Sequence, residues 1–159
     1  MNRLDRPPSQ ENAKGHNMKI SARNILKGSI SHLQHGAVND EVVVTIADGD
    51  MITAIVTSGS VKSLGLAVGK EVVVIVKASS VLISTESAGL RLSARNALSG
   101  TITNVVDGTV ESEVTIGLSG GAAIHATITH DAVKELGLKK GMPATAIIKA
   151  SSVILGVAK

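Results

Sequence analysis

The chain has 159 residues, a formal net charge of +3 and a mean hydropathy of +0.29, with 43% hydrophobic residues but no Cys, Trp, Tyr or Phe. Its core is therefore aliphatic, and disulfide frameworks, zinc ribbons, iron–sulfur clusters and thiol catalysis are excluded. The missing aromatics remove the stacking platforms of the usual single-strand nucleic-acid binders, and the charge divides as +2 over residues 1–20, −1 over 21–87 and +2 over 88–159, which makes no polycationic face.

Residues 1–17 hold Pro7, Pro8, Ser9, Gln10, Glu11, Asn12 and Gly15 with almost no apolar side chain. Such a segment cannot offset its ordering entropy by burial and reads as a disordered tail. Met18, directly before Lys19-Ile20-Ser21, offers an alternative start of translation. No apolar run reaches the eighteen or so residues of a membrane span and the N-terminus has no apolar signal region, so the expectation is a cytoplasmic protein without a membrane partner.

Three strands follow: Gly28 to Leu33, Val-rich Glu41 to Ala47, and Met51 to Thr57 after the turn signal Asp48-Gly49-Asp50. Ser58 to Leu64 reads as a brief helix capped by Ser58 or Ser60, with Gly65 as its left-handed C-terminal residue and Leu66 as the hydrophobic closer. After a Gly69 turn, Glu71 to Val76 and Val81 to Ser84 supply two more strands.

Sliding the sequence by 72 positions aligns residues 21–87 with 93–159 without a gap, giving 27 identities in 67 pairs. The chain is thus a tandem duplication, with the first domain expected at 18–87, the second at 88–159, and a junction near Glu86-Ser87-Ala88-Gly89. In the second copy Thr129 caps the helix Asp131 to Leu136 ahead of Gly137, and Asp131 sits at the positive end of the helix dipole. Three strands, a short helix and two strands in under 70 residues predict an all-β fold with short helices: two tandem five-stranded, partly open barrels of the oligonucleotide/oligosaccharide-binding type.

Core positions drift between the copies, as in Val44 against Ile116 and Ile46 against Leu118, whereas Ser-Ala-Arg-Asn and Lys-Ala-Ser-Ser recur letter for letter. Each offers a cation beside hydroxyl or amide donors, a surface suited to an acceptor-rich oxyanion; the alternative is that these residues only make turns and subunit contacts. His32 and His35, and likewise His125 and His130, lack the Cys or carboxylate motif of a metal site and read as surface residues. No Ser/His/Asp arrangement, Gly-rich phosphate loop or paired carboxylate motif recurs in both copies, so no catalysis is expected.

Met18-Lys19-Ile20-Ser21-Ala22-Arg23-Asn24, Gly36-Ala37-Val38-Asn39 with Glu41-Val42, Lys62-Ser63-Leu64-Gly65-Leu66, and Val76-Lys77-Ala78-Ser79 occur in that order. In them the chain resembles the molbindins, molybdate-binding proteins built from TOBE-like Mop domains, in their tandem form, over residues 18–159. The resemblance implies a cytoplasmic molybdenum-homeostasis protein that binds molybdate, and tungstate, without transforming it and without an organic cofactor. Single Mop domains of the family form hexamers, so three fused pairs, a homotrimer, supply the same six units.

The resemblance also implies where the anion lies: at interfaces between Mop units, held by Ser-Ala-Arg-Asn of one unit and Lys-Ala-Ser of a neighbour. This nominates Ser21, Ala22, Arg23 and Asn24 with Lys77, Ala78 and Ser79, and Ser93, Ala94, Arg95 and Asn96 with Lys149, Ala150 and Ser151. A second, axial class of site in the family uses mainly backbone groups, here at Gly36, Ala37, Val38 and Asn39. The second copy has Gly108, Thr109, Val110 and Glu111 there, and the carboxylate of Glu111 disfavours an anion. Alternatives are a structural oligomerisation module without ligand and a molybdate-sensing module acting on a separate regulator; the chain carries no helix-turn-helix segment for nucleic acid.

Overall fold

The computed structural model describes residues 20–46, 49–85 and 92–159. The tail reading, Met18 and the junction near 86–89 lie outside the described residues. The first copy forms β1 (Asn24–Gln34), β2 (Asn39–Ile46), β3 (Met51–Thr57), α1 (Ser58–Leu64), β4 (Glu71–Val76) and β5 (Leu82–Ser84). The second repeats the order as β6 (Asn96–Val106), β7 (Glu111–Leu118), β8 (Ala123–Thr129), α2 (His130–Leu136), β9 (Pro143–Ile148) and β10 (Ile154–Gly156). A one-turn 3-10 helix, at Ala78–Ser80 and at Ala150–Ser152, precedes each final strand.

Strand alternation sets the layers. In β2 and β7 every second residue is buried, placing Val42, Val44 and Ile46, and Val114, Ile116 and Leu118, on the core face. β1 is longer than the expected Gly28–Leu33 because Asn24 already pairs with Val76, so the Ser-Ala-Arg-Asn segment runs straight into the strand. Gly28 sits where β1 crosses β2: a Cβ there would lie 2.6 Å from the Thr45 carbonyl oxygen. Gly100 occupies the same crossing in the second copy, 2.3 Å from the Gly117 oxygen, which explains why both copies hold glycine.

The helices follow the expected design with one correction. The N-cap of α1 is Thr57, not Ser58 or Ser60: its hydroxyl accepts from Ser60 N–H, because Ser58 is already the first helical residue. Thr129 does the same for Ala132 in α2, as expected. Gly65 and Gly137 close the helices at φ 63° and 62°, with Leu66 N–H donating to Val61 O and Leu138 N–H to Val133 O, and both leucines are buried.

Five strands per sheet is the expected count, but the two copies exchange their last strand. The first sheet has the order β10-β4-β1-β2-β3 and the second β5-β9-β6-β7-β8, all pairs antiparallel. Ile154 faces Ile75 in the first sheet, and Leu82 faces Ile147 in the second. The two five-stranded units are as expected, and each is completed by a strand from the other repeat. The 3-10 turn throws the chain across, and Val81 and Val153, both buried, fix the crossing. β10 also approaches β3, and β5 approaches β8, so each sheet curls toward closure around a strand supplied by the other copy. Buried aliphatic side chains from both copies form one connected core.

Candidate functional site

Because Asn24 pairs with Val76 and Asn96 with Ile148, each Ser-Ala-Arg-Asn segment ends beside the Lys-Ala-Ser-Ser turn of its own copy. The two recurrent polar segments thus meet at one end of each sheet. Within one chain the turn in register with each Ser-Ala-Arg-Asn segment belongs to the same repeat. Lys77 and Ser79, and Lys149 and Ser151, are exposed, while Ala78 and Ala150 are buried and anchor the turns. Ser21, Arg23, Ser93 and Arg95 are also exposed, with Ala22 and Ala94 half-buried.

Asn24 and Asn96 point the other way. Both are buried, and each amide grips the backbone of the opposite copy. Asn24 Nδ2 donates to His125 O and its Oδ1 accepts from His125 N–H, both at 2.7 Å. Asn96 repeats this with Thr53, at 2.8 and 2.7 Å. His125 and Thr53 lie on β8 and β3, the outermost strands of their sheets, whose open edges would otherwise leave peptide groups unpaired. The carboxamide stands in for one further peptide group. Its main work is to seam the copies together, and the seam turns these two nominated residues away from solvent.

Ion pairs cross the same seam. Arg23 Nη2 lies 2.5 Å from Glu113 Oε1, and Arg95 Nη2 lies 2.8 Å from Glu41 Oε1. In the first pair the arginine side chain is 59% exposed and the glutamate 27%, so the guanidinium is held from below with its outer edge in solvent. The Arg95 seam borders an open cleft of about 590 Å³ whose walls include Ser31, His32, Glu41, Thr53, Arg95 and Asn96. Glu41 and Glu113 are site residues that composition and charge did not single out. The signal was available, since glutamate recurs at this position in both copies inside the Glu41-Val42 motif.

The Gly36–Asn39 segment is the β1–β2 turn, kept tight by glycine: a Cβ on Gly36 would lie 2.2 Å from Asn39 O, and one on Gly108 2.1 Å from Glu111 O. Gly36 N–H donates to Asp40 Oδ1, which also accepts from Ser58 Oγ at 2.8 Å, while His35 Nδ1 lies 2.9 Å from Asp40 Oδ2. Gly36 is thus already committed to a carboxylate, while Val38 is 72% exposed. Asp40 is buried, yet the Gly36 N–H, assisted by Ser58 and His35, holds its carboxyl below the usual range against the opposing effect of burial.

In the second copy the same three side chains change places. Positions 35, 40 and 58 carry His, Asp and Ser; their counterparts 107, 112 and 130 carry Asp, Ser and His. Ser112 Oγ donates to Asp107 Oδ1 at 2.7 Å, His130 Nδ1 lies 2.7 Å from that oxygen, and Gly108 N–H donates to Ser112 Oγ. The Ser112 hydroxyl and His130 hold the Asp107 carboxyl below its usual range. The sequence expectation that no Ser/His/Asp grouping recurs is therefore corrected in space. Neither group is a nucleophile relay, however: the carboxylate is the hub, and serine bonds to it instead of to an imidazole base. Two of the nominally surface histidines, His35 and His130, are engaged in these networks, and His125 Nδ1 separately lies 3.0 Å from Thr115 Oγ1. Among the described residues no group of three His, Cys, Asp or Glu side chains is placed to hold a metal ion.

The TOBE domain model matches residues 20–83 and again 92–155. The chain belongs to the TOBE-domain family. Its two matches coincide with the two sequence repeats and include all four polar segments. Among curated relatives, the molybdenum transport protein ModE of Azotobacter vinelandii is 43% identical over 140 residues, 88% of this chain and 52% of that protein. The molybdenum-pterin-binding protein MopA of Rhodobacter capsulatus is 41% identical over 88% of this chain and 53% of its own length. The chain thus spans about half the length of these relatives. A solved structure of the cytoplasmic molybdate-binding protein ModG, with molybdate bound, superposes with a TM-score of 0.86 at 55% identity, covering 89% of this chain and 100% of that one. The paired-domain, all-β architecture of this TOBE protein is the one that ModG shows.

Proposed function

We propose that the chain binds molybdate, and tungstate, as an intact oxyanion and serves as a cytoplasmic store or buffer of molybdenum, without catalysing a reaction. The observation that carries this reading is the meeting of Ser-Ala-Arg-Asn with Lys-Ala-Ser-Ser at one end of each sheet. That backbone register supports Arg23 with Lys77 and Ser79, and Arg95 with Lys149 and Ser151, all exposed, as the donors; cationic and hydroxyl donors match a tetrahedral dianion rich in acceptors. The likeness to molybdate-bound ModG supports the same ligand. The axial segment Gly36, Ala37, Val38 and Asn39 is a subsidiary candidate, with its second-copy counterpart weakened by Glu111.

A homotrimer completes the proposal. Small barrels without aromatic side chains gain from burying surface between chains. Exposed apolar residues recur at equivalent positions in both copies, Ile20 with Leu92, Val38 with Val110, and Leu82 with Ile154, as a pseudo-symmetric interface requires. An anion bound between copies would couple ligand to assembly. Elemental analysis of the protein purified from molybdate-supplemented cells tests the reading. Stoichiometric molybdenum is expected, and its absence would leave only a structural module.

The likeness to the transcriptional regulator ModE of Yersinia pestis, 34% identical over 87% of this chain, favours a second reading, in which the chain senses molybdate on behalf of a separate regulator. Deleting the protein separates the two. A store leaves a smaller molybdenum reserve on depletion, whereas a sensor changes transcription of uptake components with the reserve intact.

A further inference from the structure

Glu41 and Glu113 are the acidic residues of the inter-copy seam, and no step of the binding reading uses them. Each occupies one edge of the arginine nominated for the anion, and each sits under that arginine, less exposed than its partner. The arrangement is duplicated, glutamate to arginine, across 90 residues in one direction and 54 in the other. A guanidinium presents five N–H donors in a planar fork, and a carboxylate and a tetrahedral dianion both seek two of them. With the carboxylate in place, an arriving dianion meets a neutralised cation and a negative charge within a few ångströms of its own.

From this geometry we propose that Glu41 and Glu113 are gating carboxylates: each occupies its arginine in the empty protein and yields it when an oxyanion binds, setting affinity below what the bare donor set would give. This rests on the oxyanion-binding reading above and adds a residue that determines its strength. The gate also bears on selectivity by charge. A monoanion gains less than a dianion from the released guanidinium and displaces the glutamate less readily. A purely structural clamp would instead bind equally well, or less well, once weakened.

The test uses the full chain and sodium molybdate as titrant. Glu41→Gln and Glu113→Gln keep the shape and one acceptor oxygen but remove the charge; Glu135→Gln, on the exposed face of α2, removes the same charge elsewhere. Each gate variant is expected to bind about two- to five-fold more tightly at its own site, the range worth of a half-exposed ion pair, with Glu135→Gln unchanged. In the parent, the side-chain carboxyl carbon signals of Glu41 and Glu113 and the Nε signals of Arg23 and Arg95 should move together along the molybdate titration. That measurement needs no variant and stands if a substitution unfolds the seam. Unchanged or weaker affinity in both gate variants, or glutamate signals that stay fixed at saturating molybdate, would overturn the gate while leaving the binding reading intact. A parent that binds no molybdate would overturn both.

Discussion

Replacing Asn24 by alanine removes a side chain that satisfies two backbone groups of the opposite copy at once. His125 N–H and His125 C=O each lose a 2.7 Å hydrogen bond in a region where Asn24 itself is only 2% exposed, and no strand is hydrogen-bonded along that edge of β8 to replace them. A buried donor or acceptor left unpaired costs about 1–3 kcal/mol, so the pair together predicts a loss of about 2–5 kcal/mol, partly relieved if water enters the seam. For a chain of this size each kcal/mol lowers the melting temperature by about 2–4 °C, which puts the expected drop near 5–15 °C. With no Trp or Tyr in the chain, the assay is circular dichroism in a urea series, or calorimetry, at one fixed protein concentration. Asn96→Ala should behave alike, since it meets Thr53 with the same geometry. Asn24→Asp keeps the acceptor but loses the donor and buries a charge, and should cost at least as much. A loss below about 0.5 kcal/mol in both alanine variants, with molybdate affinity falling instead, would refute the seam role and return the amide to the ligand.

Gly28→Ala should destabilise by about 1–3 kcal/mol, because its Cβ would press on Thr45 O and Val44 Cγ1, whereas Gly59→Ala, with open space around it in α1, should be neutral or stabilising; urea melts compare the two. Asp40 has its pKa lowered by folding, so its contribution is fully present above about pH 4 and is lost as pH falls through the folded value. Asp40→Asn should therefore be less stable at neutral pH but show a flatter acid limb, read from melting temperature between pH 6 and pH 2. Deleting residues 1–17 should leave molybdate affinity and melting temperature unchanged, as calorimetry on the protein beginning at Met18 can check.

Much of the architecture was legible because the sequence states it twice. The 72-residue offset located the strands, and the recurrence of Gly65 as Gly137 and of Leu66 as Leu138 located the helix ends. Strand exchange was not legible, for a physical reason: the alternation of Val81 to Ser84 tells which residues face a core, not which sheet's edge they pair with. Local chemistry misled at Thr57, where any of three nearby hydroxyl residues satisfies the capping pattern and only backbone geometry picks one. The polar segments were visible as letters that did not drift, but their division of labour was not. That Asn24 turns inward while Arg23 turns out depends on β8, a hundred residues away, and the meeting of His35 and Asp40 with Ser58 depends on α1 packing against the β1–β2 turn. The same-position comparison of the two copies hid the second network, because its three side chains are permuted.

The most direct test of the binding account is a calorimetric titration of the parent with molybdate in the presence of excess sulfate, repeated with Lys77→Ala. The Lys77 side chain is exposed beside the Ser-Ala-Arg-Asn segment, so truncating it should spare the fold. The account predicts saturable molybdate binding that survives sulfate and weakens by about 1.5–3 kcal/mol, roughly ten- to 150-fold, at the first-copy site in the variant. No heat with molybdate, binding abolished by the excess sulfate, or an affinity unchanged in Lys77→Ala would contradict it.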